Sequence, residues 1–129
     1  MELSHVAIWV TDLEQSLEFY GALGFERAWS FTDDGVENVY VRGDRGELQL
    51  RHDSDRTTPI APTRADTDHV ALGVEDEAAV DAAVEDAREA GGSVIADPHV
   101  VEAADAYAAF VEDPDGYTLE FVAPLEGSR

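Results

Sequence analysis

The chain has 129 residues, and its 29 Asp and Glu against 8 basic residues give a formal net charge of −21 at pH 7. A chain of this length can bury roughly two-thirds of its unfolded surface, and a hydrophobic share of 44% supplies a core, which excludes wholesale disorder. The charge repels nucleic acid and anionic membranes, no apolar run reaches the ~18 residues of a membrane helix, and the lack of cysteine excludes disulfides, zinc–thiolate sites and thiol nucleophiles.

In the first half, Val6, Ile8 and Val10 alternate with His5, Ala7 and Trp9, the period of a strand. Asp12, with Gln15 three residues on, has the spacing of a helix start. Leu13, Leu17 and Tyr20 then share one helical face, and Gly24 can end the element. Strands are expected around Arg27–Thr32, Val36–Arg42 and Glu47–His52. They are separated by Asp33-Asp34-Gly35 and Gly43-Asp44-Arg45-Gly46, both of which are hairpin chemistry. Residues 53–66 carry Pro59 and Pro62 and no apolar period, so they read as a connector.

The second half repeats the order. His5-Val6-Ala7 returns as His69-Val70-Ala71 at the head of a strand expected over Asp68–Val74. A helix follows with Val80, Ala83, Val84 and Ala87 on one face and Gly91-Gly92 at its end. Strands then fit Ser93–Ala96, Tyr107–Glu112 and Tyr117–Val122, the last two joined by the turn Asp113-Pro114-Asp115-Gly116. The expected fold class is therefore α+β, an internal duplication of two βαβββ modules. The first spans 1–54, a connector 55–66 and the second 67–129, together one structural domain.

A sheet with a helix on one side has a covered and an open face. If Val6, Ile8 and Val10 face the helix, then His5, Ala7 and Trp9 face away, and His69, Ala71 and Gly73 do the same in the second module. Leu48-Gln49-Leu50 matches Leu119-Glu120-Phe121 in pattern, which puts Gln49 where Glu120 sits. Pseudo-twofold packing of the modules would gather His5, Gln49, His69 and Glu120 in one concavity. Two imidazoles, a carboxylate and an amide oxygen suit a divalent first-row ion such as Zn, Ni, Co, Mn or Fe, with positions left for substrate oxygens. The competing reading of each histidine is a hydrogen-bonded strand residue, and of Glu120 and Gln49 an exposed polar side chain.

With SHVAIWV, DHVALGV and FVEDPDGYTLEF in these places, nearly the whole chain resembles the vicinal oxygen chelate superfamily, and within it the glyoxalase I (lactoylglutathione lyase) and bleomycin-resistance-protein fold. The resemblance implies a half-open, barrel-like sheet with helices outside. It also implies one divalent metal held by His5, Gln49, His69 and Glu120, with Glu120 and Gln49 as catalytic residues and Glu120 as the base. Glu47, two residues before Gln49 on the same face, is the substitute ligand if the register slips. The implied reaction is that of a lyase or isomerase that chelates vicinal substrate oxygens and moves a proton between adjacent carbons. Its substrate would be a small molecule, a thiol adduct of a 2-oxoaldehyde, and the protein a homodimer.

Two departures bear on the substrate. Glyoxalase I has glutamate at the Gln49 place, where methylmalonyl-CoA epimerase resembles this chain more closely. It also has an arginine where Trp9 stands. The alternatives are an acyl-CoA epimerase, another enzyme of the superfamily such as a thiol transferase or dioxygenase, and a non-catalytic binder of the bleomycin-resistance type.

Trp9, Arg51 and Tyr107 are candidate substrate-binding residues, with Phe31 and Tyr40 as further aromatic pocket candidates. A salt bridge is the competing use of Arg51. His52, of opposite parity to Gln49, and His99, after Pro98 in an expected loop, read as surface histidines. Every basic residue is arginine, and that usage with so acidic a surface suits high salt, where the Debye length shrinks to ~3 Å near 1 M. With no basic and apolar N-terminal leader, a cytoplasmic location is expected.

Overall fold

A computed structural model describes residues 1–127. The chain divides into two compact units, Met1–Ala61 and Pro62–Arg129, so the division falls inside the connector.

In the first unit, β1 (His5–Trp9) leads to α1 (Leu13–Ala22), then β2 (Glu26–Asp33), β3 (Val36–Arg42) and β4 (Glu47–Asp53). The sheet order is β1-β4-β3-β2, with β1 parallel to β4 and the other pairs antiparallel. The Asp12 carboxylate caps α1 by accepting from the Gln15 amide at 3.1 Å. Asp34 and Gly35 both take positive φ, 49° and 79°, which is the two-residue turn that matches strand twist. Ile8, Val10, Val39, Val41, Leu48 and Leu50 are buried, as are Phe19 and Tyr20 of α1. By strand alternation this leaves His5, Ala7, Trp9, Asn38, Tyr40, Gln49 and Arg51 on the opposite face.

The second unit runs β5 (Val70–Gly73), α2 (Glu77–Glu89), β6 (Ser93–Val101), a 3₁₀ turn (Glu102–Ala104), β7 (Ala106–Glu112) and β8 (Thr118–Pro124). Its sheet order is β5-β8-β7-β6, the same topology as the first, with β5 parallel to β8. Asp76 caps α2 through the Ala79 amide at 2.9 Å. Val80, Val84 and Ala87 form its buried side, and the helix packs on β6, β7 and β8. Each unit is thus an open, four-stranded mixed sheet with one helix, an α+β arrangement in which neither sheet closes into a barrel.

Strand ends differ from expectation by a residue or two, β5 running only Val70–Gly73 and β8 Thr118–Pro124, and by more at one place. β6 continues past Ala96 to Val101 and carries His99 inside a strand rather than a loop. Pro98 is tolerated there because β6 is the edge strand and its register against β7 shifts between Ala96 and His99, so no ladder bond depends on the missing N–H.

Candidate functional site

Register fixes what the open face of each unit presents. In the second unit Ala71 pairs with Glu120 and Glu120 with Phe110, so the carboxylate lies mid-sheet beside a small residue. His69 immediately precedes β5, its ring edge-on to Phe110 at 5.9 Å. Its Nε2 stands 3.3 Å from Glu120 Oε1. Ligands bound at about 2.0–2.2 Å to one ion sit roughly 3.0–3.4 Å from each other when adjacent. The imidazole and carboxylate therefore converge as two neighbouring ligands would.

The other ring nitrogen is also engaged. Asp68 Oδ2 lies 2.6 Å from His69 Nδ1, the geometry of a carboxylate that accepts a proton from Nδ1 and so makes Nε2 the nitrogen a metal would take. Asp68 is a residue that sequence reasoning passed over. Its signal was present, since the acid directly precedes the histidine in DHVALGV, whereas the first copy has Ser4 in that place. Ser4 Oγ is 3.3 Å from His5 Nδ1, a longer and uncharged contact.

In the first unit, His5 pairs with Glu47 and Ala7 with Gln49 along the β1–β4 ladder. Glu47 is engaged by Arg42, whose Nε and Nη2 donate to Oε2 at 3.1 and 2.8 Å. Gln49 is buried and donates from Nε2 to Asn38 Oδ1 at 2.9 Å. Asn38 Oδ1 also accepts from Arg51 Nε at 3.0 Å, and Asn38 Nδ2 donates to the Val36 carbonyl at 3.1 Å. Asn38, buried and unsingled by sequence reasoning, therefore fixes the amide plane of Gln49 and commits its N–H₂ end, so the carbonyl end is the one left for a ligand.

Aromatic rings border this pair. His5 meets Tyr40 edge-on at 5.3 Å, Tyr40 stacks on Trp29 at 4.4 Å, and Phe31 stacks beside Trp29 at 5.5 Å. Among the described residues Arg51 makes no salt bridge, the competing use considered for it. Its guanidinium lies 4.4 Å above the Trp9 ring, where a cation–π contact and Asn38 replace a carboxylate.

Tyr107 requires a correction. It shares strand parity with Ala109 and Val111, and its hydroxyl donates to Asp81 Oδ1 of α2 at 2.9 Å. It therefore faces the helix, away from Glu120, and does not line that face; the residue of β7 that does is Phe110. The hydrogen bond to Asp81 raises the Tyr107 pKa above 10.0, because the carboxylate stabilises the protonated phenol. His52 stands apart from Gln49, its Nδ1 3.4 Å from the Val10 carbonyl.

Neither unit by itself gathers three or more His, Cys, Asp or Glu side chains in a group able to hold a metal, among the described residues. His69 and Glu120 converge as a pair in the second unit, while His5 and Gln49 share the open face of the first unit two register positions apart. The donor types fit a first-row divalent ion, and the His69–Glu120 spacing fits it geometrically.

A family model described as the Glyoxalase/Bleomycin resistance protein/Dioxygenase superfamily matches residues 2–121. A probable lactoylglutathione lyase of Synechocystis sp. is 31% identical over 129 aligned positions, spanning 95% of this chain and 95% of its own. A lactoylglutathione lyase of Neisseria meningitidis serogroup B is 31% identical over 134 positions, spanning 98% and 94%. Among solved structures, a hypothetical protein from S. aureus is 27% identical with a TM-score of 0.75, covering 95% of this chain and 94% of that one. A glyoxylase/bleomycin resistance protein/dioxygenase domain from Frankia has a TM-score of 0.85 at 22% identity, covering 98% and 94%, and speaks to the fold alone. With two βαβββ units and a family match along nearly its full length, the chain belongs to the Glyoxalase/Bleomycin resistance protein/Dioxygenase superfamily.

Proposed function

We propose that this protein is a divalent-metal-dependent lyase or isomerase of the glyoxalase I type, acting on a thiol adduct of a 2-oxoaldehyde. The observation that carries the reading is the convergence of His69 Nε2 and Glu120 Oε1 at 3.3 Å, with the Asp68 carboxylate placed to accept a proton from the far nitrogen. His69 and Glu120 supply one pair of ligands, and His5 and Gln49 the other, from the same chain or from a second copy in a homodimer. A bound ion polarises the substrate's vicinal oxygens and so acidifies the neighbouring C–H.

The chain's own residues do the rest. Glu120 accepts the proton from the carbon that carries sulfur and returns it to the adjacent carbon, with no net gain or loss of protons. Such acid–base work contributes on the order of 10²- to 10⁴-fold. Gln49 carries no charge, so the first unit adds an oriented carbonyl where a carboxylate would compete for the same proton. Trp9 and Arg51, held together over Asn38, face the substrate from the first unit.

The relatives' name, lactoylglutathione lyase, supports this reading at about one residue in three. The amide of Gln49 favours a second one, epimerisation of an acyl thioester, which also moves one proton beside a carbonyl. A cytoplasmic location and adaptation to high salt belong to the same proposal.

The test is to load the protein with Zn, Ni, Co, Mn or Fe in turn, then assay a methylglyoxal hemithioacetal and a 2-methyl-branched acyl thioester. Metal is measured directly in wild type, His5→Ala and His69→Ala. Turnover of the hemithioacetal, with metal content lost in both variants, supports the leading reading; turnover of the thioester alone selects the second. A wild-type protein that retains no ion above the variants' background refutes both.

A further inference from the structure

On the open face of the first unit, the β4 residue that stands beside His5 in register is Glu47; Gln49 lies two positions on, beside Ala7. The His5 ring reaches across β4 toward β3, meeting Tyr40 edge-on at 5.3 Å, and Tyr40 is the register partner of Gln49. The imidazole therefore has two oxygen-bearing side chains of β4 within its reach, one a carboxylate and one an amide. Of the two, the carboxylate is the stronger partner for a divalent ion, because it brings a full negative charge where the amide brings a dipole.

Arg42 occupies that carboxylate. Its Nε and Nη2 both donate to Glu47 Oε2, at 3.1 and 2.8 Å, a two-pronged grip. The grip comes from β3, which flanks β4 on the side away from β1 and His5. Arg42 also has Glu26 as its register partner on β2, yet among the described residues its ion pair is with Glu47 alone. Glu47 is 19% exposed and Arg42 60%, so the cancelled charge is one partly withdrawn from water, while an ion pair with so exposed a partner adds little to stability. The second unit lacks the device. Register puts Thr118 and Glu112 where Glu47 and Arg42 stand, and there the His69–Glu120 contact forms with no arginine between.

We infer that Arg42 is a positioning residue that decides the oxygen ligand of the first unit: by gripping Glu47 it withholds the carboxylate from His5 and leaves the neutral Gln49 carbonyl as the donor. The inference rests on the proposed metal site. Its chemical consequence is that Glu120 is the one carboxylate directed at the reaction. Less of a bound ion's charge is then neutralised by the protein, more is left to polarise substrate oxygens, and no second carboxylate competes for the migrating proton.

The test titrates the full-length protein with Co²⁺ at fixed high salt, reading Kd by calorimetry and the visible spectrum of the bound ion. Arg42→Gln frees Glu47 and is expected to bind Co²⁺ about tenfold or more tighter, the scale on which a ligand's hydrogen-bonded partners move affinity, with a displaced visible band. Arg42→Gln/Glu47→Gln returns both readouts to wild type. Arg42→Lys keeps the charge without the two-pronged grip and falls between. Arg45→Gln removes one positive charge from the same hairpin without touching Glu47, so it separates the grip from a field effect and should leave both readouts at wild type. A salt bridge with a structural role alone would move neither. The inference is overturned by an unmoved Kd and spectrum in Arg42→Gln, by an equal shift in Arg45→Gln, or by tightening that persists in the double variant. Weaker binding in Glu47→Gln also overturns it, because Glu47 would then be the ligand. An unmoved Arg42→Gln in a protein that binds Co²⁺ leaves the proposed function standing, whereas no binding by wild type or any variant overturns both.

Discussion

Replacing Asn38 with alanine isolates the support beneath Gln49. Asn38 is 1% exposed and Gln49 8% exposed, and the Asn38 carbonyl is the shared acceptor for Gln49 and Arg51. The substitution strands the buried Gln49 N–H₂, and leaving a buried donor unsatisfied costs about 1–3 kcal/mol. Arg51 is half-buried and keeps its place over Trp9, so water can replace the lost bond at about 0.5–1 kcal/mol. The expected loss for Asn38→Ala is therefore about 1.5–4 kcal/mol, read as a drop in the urea midpoint at constant high salt and unchanged m-value. Asn38→Asp retains an acceptor for both donors but loses the bond to the Val36 carbonyl, so it should fall between wild type and Asn38→Ala. If Asn38→Ala lies within about 0.5 kcal/mol of wild type, the network does not hold Gln49, and the amide is not oriented by Asn38.

Asp68→Ala should weaken metal binding by about 10- to 100-fold, the usual effect of removing a ligand's hydrogen-bonded partner, while Asp68→Asn recovers part of it; calorimetric Kd values at one pH decide this. Tyr107 should ionise above 10.0 in ultraviolet titration and return toward that value in Asp81→Ala. Since the protonated phenol makes the bond, this contact stabilises the fold fully below the unfolded tyrosine pKa and is lost as pH rises through the raised folded value. Ser16 Oγ is buried with no hydrogen-bond partner among the described residues, so Ser16→Ala should be neutral or stabilising by up to about 1 kcal/mol in thermal unfolding. Withdrawing salt should lower the melting temperature continuously, because the −21 surface then repels itself across a longer screening length; a salt-independent transition would count against the high-salt reading.

Much of the fold was legible because its signals are local. The hairpin at Asp34-Gly35 demands positive φ and announces it; the Asp12 cap sits one residue before a periodic helix. Strand alternation separated Gln49 from Leu48 and Leu50 without knowledge of any partner strand. It failed at β6, where Pro98 reads as a break unless the strand is known to lie at an edge. It also failed for Tyr107, whose length and polar tip suit a pocket as well as a helix, and only the position of Asp81 on α2 chooses between them.

The repeated His-Val-Ala strands, the duplication and the open-face parity of His5, Gln49, His69 and Glu120 are properties of the sequence alone, because pleat and period need no long-range contact. Tertiary structure decided which of those side chains have their second atom committed. Asp68 takes the far nitrogen of His69, Asn38 takes the amide nitrogen of Gln49, and Arg42 takes the carboxylate of Glu47. Those assignments depend on distances of a few tenths of an ångström, across strands or between neighbouring side chains, and hydrogen bonding is sensitive to distance and angle at that scale while hydrophobic periodicity is not.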